Sequence, residues 1–359
     1  MKKNEFVKQL SKLVSFKTVT KNFEENKRSL DYVVSLLDPK LKIDRKESNG
    51  FEYLIASVKG TSKPKYSHMV HMDVVFGEEG QFVIKLDGSK AIGRGTSDMK
   101  FSIPIGIALI NEAVNKDVDM DLVITTDEEI GGFDGGKVIS GLGYCPEILI
   151  VPDGGDNLSF VEKAKGVCQL KLTSKGVPAH ASRPWMGKNA IDSLVVVANK
   201  LLENYGKNSL EENWNTTMCI GTVEGGVSTN QVCPSAEMKI DFRYPESDSI
   251  ENIQLGVEKI IKDFNFDIKV EKMSTGLPTF TDVNSDEVKE YLGIMEKAFG
   301  KKLDVKQTYG ASDARHFPNS LVLMNKPMGG EIHSETEWVD IDSCMNFYEG
   351  LQKYLGLSK

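Results

Sequence analysis

Residues 122–129 read Leu-Val-Ile-Thr-Thr-Asp-Glu-Glu. A short run bounded by turn residues, 122–126, has the signature of a buried strand. Three acids, Asp127, Glu128 and Glu129, come directly after it. The pattern recurs on either side. Residues 66–70 run into His71-Met72-Asp73, and 147–151 run into Pro152-Asp153. Residues 53–58 read as a further strand. Residues 99–114 read as a helix, with Pro104 near its start, where a missing N–H is tolerated. Alternating strands and helices predict an α/β sheet with helices on both faces.

In open α/β sheets the ligand crevice lies outside the carboxyl ends of the strands. Two more segments point there. Gly93-Arg94-Gly95-Thr96-Ser97-Asp98 ends just before the helix, and a strand at 321–324 leads to Gly329-Gly330-Glu331-Ile332-His333. Five segments therefore bring His71, Asp98, the Glu128–Glu129 pair, Asp153 and His333 to one rim. Two imidazoles and three carboxylates suit a pair of zinc-like ions, which take neutral His nitrogen and carboxylate oxygen and leave a position open for water. Two ions about 3.5–4 Å apart need a bridging ligand. Asp98, on its glycine-flanked loop, is the natural bridge. Two dications and three ligand carboxylates leave a single positive charge, which favours a bound hydroxide and a developing oxyanion.

Between 165 and 274 the rhythm changes. Strands at 167–173, 217–223, 237–244 and 266–272 and helices at 190–202 and 250–264 take the order β-α-β-β-α-β, a ferredoxin-like unit. A helix at 285–299 and a C-terminal helix come after it. The expected organisation is an α/β domain, 1–164 and 275–359, interrupted by an inserted α+β domain, 165–274.

The 359 residues are 40% hydrophobic and 27% charged, the composition of a globular chain. The 44 basic and 52 acidic residues sum to −8, without the basic footprint that nucleic-acid binding needs. No apolar run approaches the ~20 residues of a membrane-spanning helix. Five cysteines, an odd number with no C-x-x-C spacing, argue against a disulfide framework and fit reduced thiols in the cytoplasm. Met1-Lys2-Lys3 leads into no apolar signal segment. Phe6, Val7, Leu10, Leu13 and Val14 instead recur at helical spacing.

These motifs together resemble the dinuclear zinc metallopeptidases related to glutamate carboxypeptidase, acetylornithine deacetylase and succinyl-diaminopimelate desuccinylase. The matching stretches are His71-Met72-Asp73, Gly93 to Lys100, Thr126 to Gly132, Val151-Pro152-Asp153, Pro178 to Pro184 with Gly187 to Ile191, and Ile332-His333-Ser334. The resemblance implies a zinc-peptidase-like catalytic domain with an inserted lid and dimerisation domain. It implies that His71 and Asp153 hold one ion, Glu129 and His333 the other, and that Asp98 bridges them. Glu128 becomes the general base for a bridging metal hydroxide, and Asp73 orients His71 from behind. His180 of the lid donates to the oxyanion, in dimeric members across to the partner subunit's site. Arg243 and Asn230 resemble lid residues that hold a substrate carboxylate, and Ser312 lies in a segment resembling the family's substrate loop. His68, three residues before His71 in a strand, faces away from it and reads as structural; His316 reads as either pocket lining or surface. Phe101-Ser102 stands where many relatives carry two glycines, and the segment after Asp73 lacks a proline that many have.

The implied activity is metal-dependent hydrolysis of an amide bond in a small substrate with a free carboxylate: a dipeptidase- or carboxypeptidase-type exopeptidase, or alternatively an N-acyl-amino-acid deacylase. The ions are expected to be zinc, with cobalt or manganese compatible with the same ligands, and the assembly a homodimer through the lid. A dinuclear phosphoesterase is disfavoured by the lack of a Gly-Asp-x-His run. A non-catalytic peptide-binding relative is disfavoured by the presence of Glu128 and all five ligands.

Overall fold

A computed structural model describes residues 1–358. The chain forms two units: one of Met1–Lys163, Phe280–Thr308 and the chain from Ser312 onward, the other of Ala164–Thr279 with Tyr309–Ala311.

The first unit is built on a six-stranded sheet in the spatial order Lys42–Ser48, Phe51–Ser57, Met120–Thr125, Tyr66–His71, Ile148–Ile150, Leu321–Leu323. The first three strands pair antiparallel and the last four pair parallel. A strand's side chains alternate between the two faces of its sheet. Leu122 and Ile124 enter one core, with helices Lys3–Ser15, Ser102–Lys116, Asp286–Phe299 and Ile341–Tyr354. Val123, Met69 and Leu149 enter a second core with Ile139, Phe317 and Met324. Burial on both faces explains why these strands read as continuous apolar runs.

His68 lies on the helix-covered face, fully buried, with its Nε2 2.8 Å from Ser102 Oγ. It is structural, as its position in the strand implied. Burial lowers its pKa to about 4. The unfolded chain takes up a proton near pH 6.5 whereas the folded one resists until about 4. Its contribution is therefore complete above pH 6.5 and lost as pH falls toward 4, up to about 3 kcal/mol. Denaturant melts should show wild type losing that much more stability than His68→Asn between pH 6.5 and 4. Equal losses would contradict it.

The elements beyond those expected include helix Phe23–Leu36 and strand Lys42–Ser48. A four-stranded sheet, Gly329–Gly330, Trp338–Asp340, Lys90–Ile92 and Lys85–Asp87, completes the part of this unit that bears on the site.

The second unit is the expected ferredoxin-like fold. Its antiparallel sheet runs Thr217–Gly225, Ser235–Tyr244, Gly166–Lys175, Ile268–Gly276. Helices Ala190–Tyr205 and Ile250–Asp263 bury Leu194, Val197, Ile253 and Val257 against the sheet's core face. Each helix starts on a side-chain cap: Asn189 accepts from Ile191 N, and Ser249 from Asn252 N, an arrangement worth about 1 kcal/mol. The last strand continues to Gly276 through an irregularity between Lys272 and Thr275.

Candidate metal centre

Three adjacent parallel strands end at the site. His71 closes strand Tyr66–His71 and pairs in register with Thr125, so the chain leaving Thr125 turns beside it. Asp153 lies three residues beyond Ile150, whose strand flanks the other side of Tyr66–His71. The small sheet supplies the rest. Asp98 lies beyond strand Lys90–Ile92, and His333 beyond Gly329–Gly330, both strands pairing with Trp338–Asp340.

Asp98 stands between the two imidazoles. Its Oδ1 is 3.1 Å from His71 Nε2, and its Oδ2 is 3.1 Å from His333 Nε2. Asp153 Oδ1 is 3.9 Å from His71 Nε2, and Glu129 Oε2 is 3.3 Å from His333 Nε2. Two groups emerge with potential ligand atoms within 4.8 Å of one another: His71, Glu128 and Asp153, and Asp98, Glu129 and His333.

This donor set fits divalent cations. Glu129 Oε1 is buried without a hydrogen-bond partner, which costs about 1–3 kcal/mol or more for a charged group unless a cation is close. Burial raises the pKa of Asp153 to about 6, and burial beside Asp153 raises Glu128 well above the ordinary carboxylate range. Burial also opposes charge on His71, but its contacts to Asp153, Asp73 and Asp98 override this and raise its pKa. Contacts to Asp98 and Glu129 raise His333 to about 10. In the metal-free protein the imidazoliums supply the cations this acidic pocket demands. Each must release its proton when an ion takes up its nitrogen lone pair.

The supporting contacts differ from expectation at Asp73. His71 Nδ1 lies 2.9 Å from the Asp73 main-chain oxygen, while the carboxylate is 3.6 Å away. Nδ1 donating to that carbonyl fixes the ring so that Nε2 faces Asp98, as a donor while His71 is protonated and as the nitrogen open to an ion once that proton is released. The carboxylate holds the neighbouring turn instead. It accepts from Glu128 N at 3.2 Å, Glu129 N at 3.3 Å and Thr20 Oγ1 at 2.9 Å. One aspartate thus orients His71 through its main chain and the Glu128–Glu129 turn through its side chain.

Several residues without an expected role shape the same turn. Gly132 has φ +63°, and a Cβ there would fall 1.9 Å from Asp313 Oδ1. Thr125 Oγ1 donates to Asp313 Oδ2 at 2.8 Å, and His316 Nε2 lies 3.1 Å from Gly131 O. His316 therefore braces the turn. Lys100, fully buried, donates to Leu13 O and Phe16 O, tying the chain after Asp98 to the end of the first helix. A charged residue directly after a loop of candidate ligands was the available signal for Lys100.

The other candidates vary. Ser312 is buried, and its hydroxyl accepts from Ala314 N as the cap of a short turn. In the second unit His180 is exposed, and its Nδ1 accepts from Ser182 N at 3.1 Å. A neutral His180 ring must then carry its proton on Nε2, as a donor. His180 and Asn230 line one cleft with Pro178, Ala179, Ser228 and Gln231. Arg243 does not line it; its Nε and Nη2 donate to Asp241 at 2.8 and 3.2 Å, and Nη1 takes no part in that pair.

Residues 163–268 match the peptidase dimerisation domain of the M20 group. A succinyl-diaminopimelate desuccinylase of Rickettsia rickettsii is 24% identical over 98% of this chain and 99% of its own. The chain thus carries an M20 peptidase dimerisation domain and resembles succinyl-diaminopimelate desuccinylases over nearly its whole length. It is a metallohydrolase acting on amide bonds. Two solved structures share the fold along nearly the whole chain. An M20 family metallo-carboxypeptidase from Sulfolobus solfataricus has a TM-score of 0.78 at 16% identity, covering 98% of both chains. The aminopeptidase PepT from Bacillus cereus has 0.76 at 19%, covering 99% of both.

Proposed function

We propose that this enzyme is an exopeptidase of the dipeptidase or carboxypeptidase type, cleaving an amide bond in a small substrate with a free carboxylate. The observation that carries the reading is Asp98, with one carboxylate oxygen facing each imidazole. His71 and Asp153 would hold one ion, Glu129 and His333 the other, and Asp98 would serve both. Zinc is the favoured metal, with cobalt or manganese suited to the same ligands. Two such ions, when bound, polarise the substrate carbonyl and lower the pKa of water toward about 7.

The chain's own groups do the rest. Glu128 takes the proton of the attacking water and returns it to the leaving nitrogen. Asp73 holds Glu128 in place through the main chain of its turn. His180 donates from Nε2 to the carbonyl oxygen as negative charge develops there. Arg243 and Asn230 hold the substrate carboxylate, Arg243 through Nη1 or by exchanging Asp241 for the ligand. The Ser312 segment borders the substrate. The second unit, which carries the dimerisation domain, pairs two copies of the chain. Five unpaired cysteines fit a cytoplasmic enzyme.

The full-length likeness to desuccinylases favours a second reading, an N-acyl-amino-acid deacylase. Metal-loaded protein should be assayed against dipeptides, N-acetyl and N-succinyl amino acids, their carboxylate-blocked amides and a phosphate ester. Dipeptides are expected to be hydrolysed fastest. Blocking the carboxylate should lower kcat/KM about 10–100-fold, the loss of one charge-assisted hydrogen bond. Preference for N-acyl amino acids selects the deacylase. Hydrolysis of the phosphate ester alone would overturn both readings.

A further inference from the structure

Glu337, four residues past His333, is only 1% exposed and belongs to neither ligand group. Its carboxylate accepts four hydrogen bonds from a single loop. Oε2 accepts from Arg94 Nη1 at 2.8 Å and Gly95 N at 3.0 Å. Oε1 accepts from Ser97 N at 2.9 Å and Asp98 N at 3.0 Å. The Glu337 carbonyl takes two more, from Gly93 N at 2.9 Å and Thr96 Oγ1 at 3.3 Å. Arg94 then reaches onward, its Nη2 donating to His333 O at 3.2 Å.

A buried carboxylate needs a counter-charge, and Arg94 supplies one. The three remaining bonds all go to main-chain amides of the loop, the last being Asp98's own. They fix where the Asp98 backbone lies and which way its side chain leaves. His333 has φ +65° and Glu331 φ +55°, left-handed backbone that costs a residue with a side chain about 1–2 kcal/mol. The Arg94 bond to His333 O braces that conformation. One ion pair thus grips the residue between the imidazoles and the backbone of one imidazole.

We propose that Glu337 is a positioning residue for the metal centre: with Arg94 it sets Asp98 to offer one oxygen to each ion and sets the His333 ring against the second. The proposal rests on Asp98 and His333 being ligands. It distinguishes the two ions. The one at Glu129 and His333 depends on Glu337 through both Asp98 and His333. The one at His71 and Asp153 depends on it through Asp98 alone, since its other ligands come from the large sheet.

The test is calorimetric titration of Zn²⁺ into metal-free, full-length wild type and Glu337→Gln, with the visible spectrum of the Co²⁺ forms. Glutamine keeps the size but removes the charge and turns a donor toward amide donors. One ion should bind about 10–100-fold more weakly, as when a partner of a metal ligand is lost, with the other changed much less and the Co²⁺ bands of the weakened site altered. A variant that only melts earlier, with both affinities and both spectra those of wild type, overturns the proposal. Should Glu337→Gln not fold, Glu337→Asp carries the same test. It keeps the charge beside Arg94 but is too short to serve both pairs of donors, so the same ion should weaken. Wild type that takes up fewer than two ions removes the dinuclear reading, and this proposal falls with it. Two ions in wild type with unchanged binding in the variants removes this proposal alone.

Discussion

Glu128→Gln is expected to lower kcat by about 10²–10⁴-fold, the usual contribution of a general acid–base group. That corresponds to roughly 3–5 kcal/mol of barrier at 1.36 kcal/mol per decade. Glutamine fills the same space and still accepts hydrogen bonds, but it carries no proton between the attacking water and the leaving nitrogen. The main-chain bond from residue 128 to Asp73 is unaffected by the substitution. KM should therefore change little. The readout must include metal content, because Glu128 lies within ligand distance of His71 and Asp153. A base leaves both ions in place when it is replaced. A ligand takes an ion with it. Near-normal turnover, or loss of an ion together with activity, would contradict the assignment of Glu128 as the base.

Asp98→Asn should have an effect at least as large, and of a different kind. Unit charges 4 Å apart at an effective dielectric constant of 20 interact by about 4 kcal/mol, so two dications at that distance repel by roughly 16 kcal/mol. Only an anion between them offsets this. Asp98 faces both imidazoles at 3.1 Å with separate oxygens. Asparagine offers one oxygen and no charge. The variant should lose at least one ion at concentrations that saturate wild type, and hydrolysis should fall with it. Metal-free wild type already holds Asp98 ionised: burial opposes its charge, but hydrogen bonds from His333 and His71 prevail and keep its pKa well below the ordinary range. Atomic absorption after gel filtration reads the ion count. Two ions retained at wild-type affinity would show that Asp98 does not bridge.

The residues at the strand ends were legible because one physical rule governs them. Parallel strands buried on both faces read as unbroken apolar runs, and the residues just past each run lie at the same edge of the sheet. His71, Glu128, Glu129 and Asp153 obey that rule. The outer part of the sheet was not legible in this way. Lys42–Ser48 is an exposed edge strand of mostly charged residues, with no apolar alternation to find. Its signal is local: Asn49 and Gly50, with φ +48° and +89°, form the two-residue turn of a hairpin with Phe51–Ser57. Helix Phe23–Leu36 buries Asn26 and Ser29 beside Leu30 and Val33, which breaks the apolar period.

Side-chain partners were harder still, because sequence spacing does not say which atom of a residue makes a contact. Asp73 stands behind His71, but its sequence position does not show that the nearer partner of Nδ1 is its carbonyl. Nothing in the spacing around Arg243 shows that its Nε and Nη2 hold Asp241. Ser312 spends its hydroxyl on a cap. Glu337 has no local signal, because its donors include backbone amides some 240 residues earlier in the chain. A lone acid near the end of a chain carries no mark of such a contact.

The account stands on two cations sharing Asp98. Anomalous diffraction from zinc-loaded crystals tests this directly. Two peaks about 3.5–4 Å apart are expected, one against His71 and Asp153, the other against Glu129 and His333, with Asp98 touching both. A single peak, peaks elsewhere on the molecule, or two peaks with Asp98 bound to only one would contradict it.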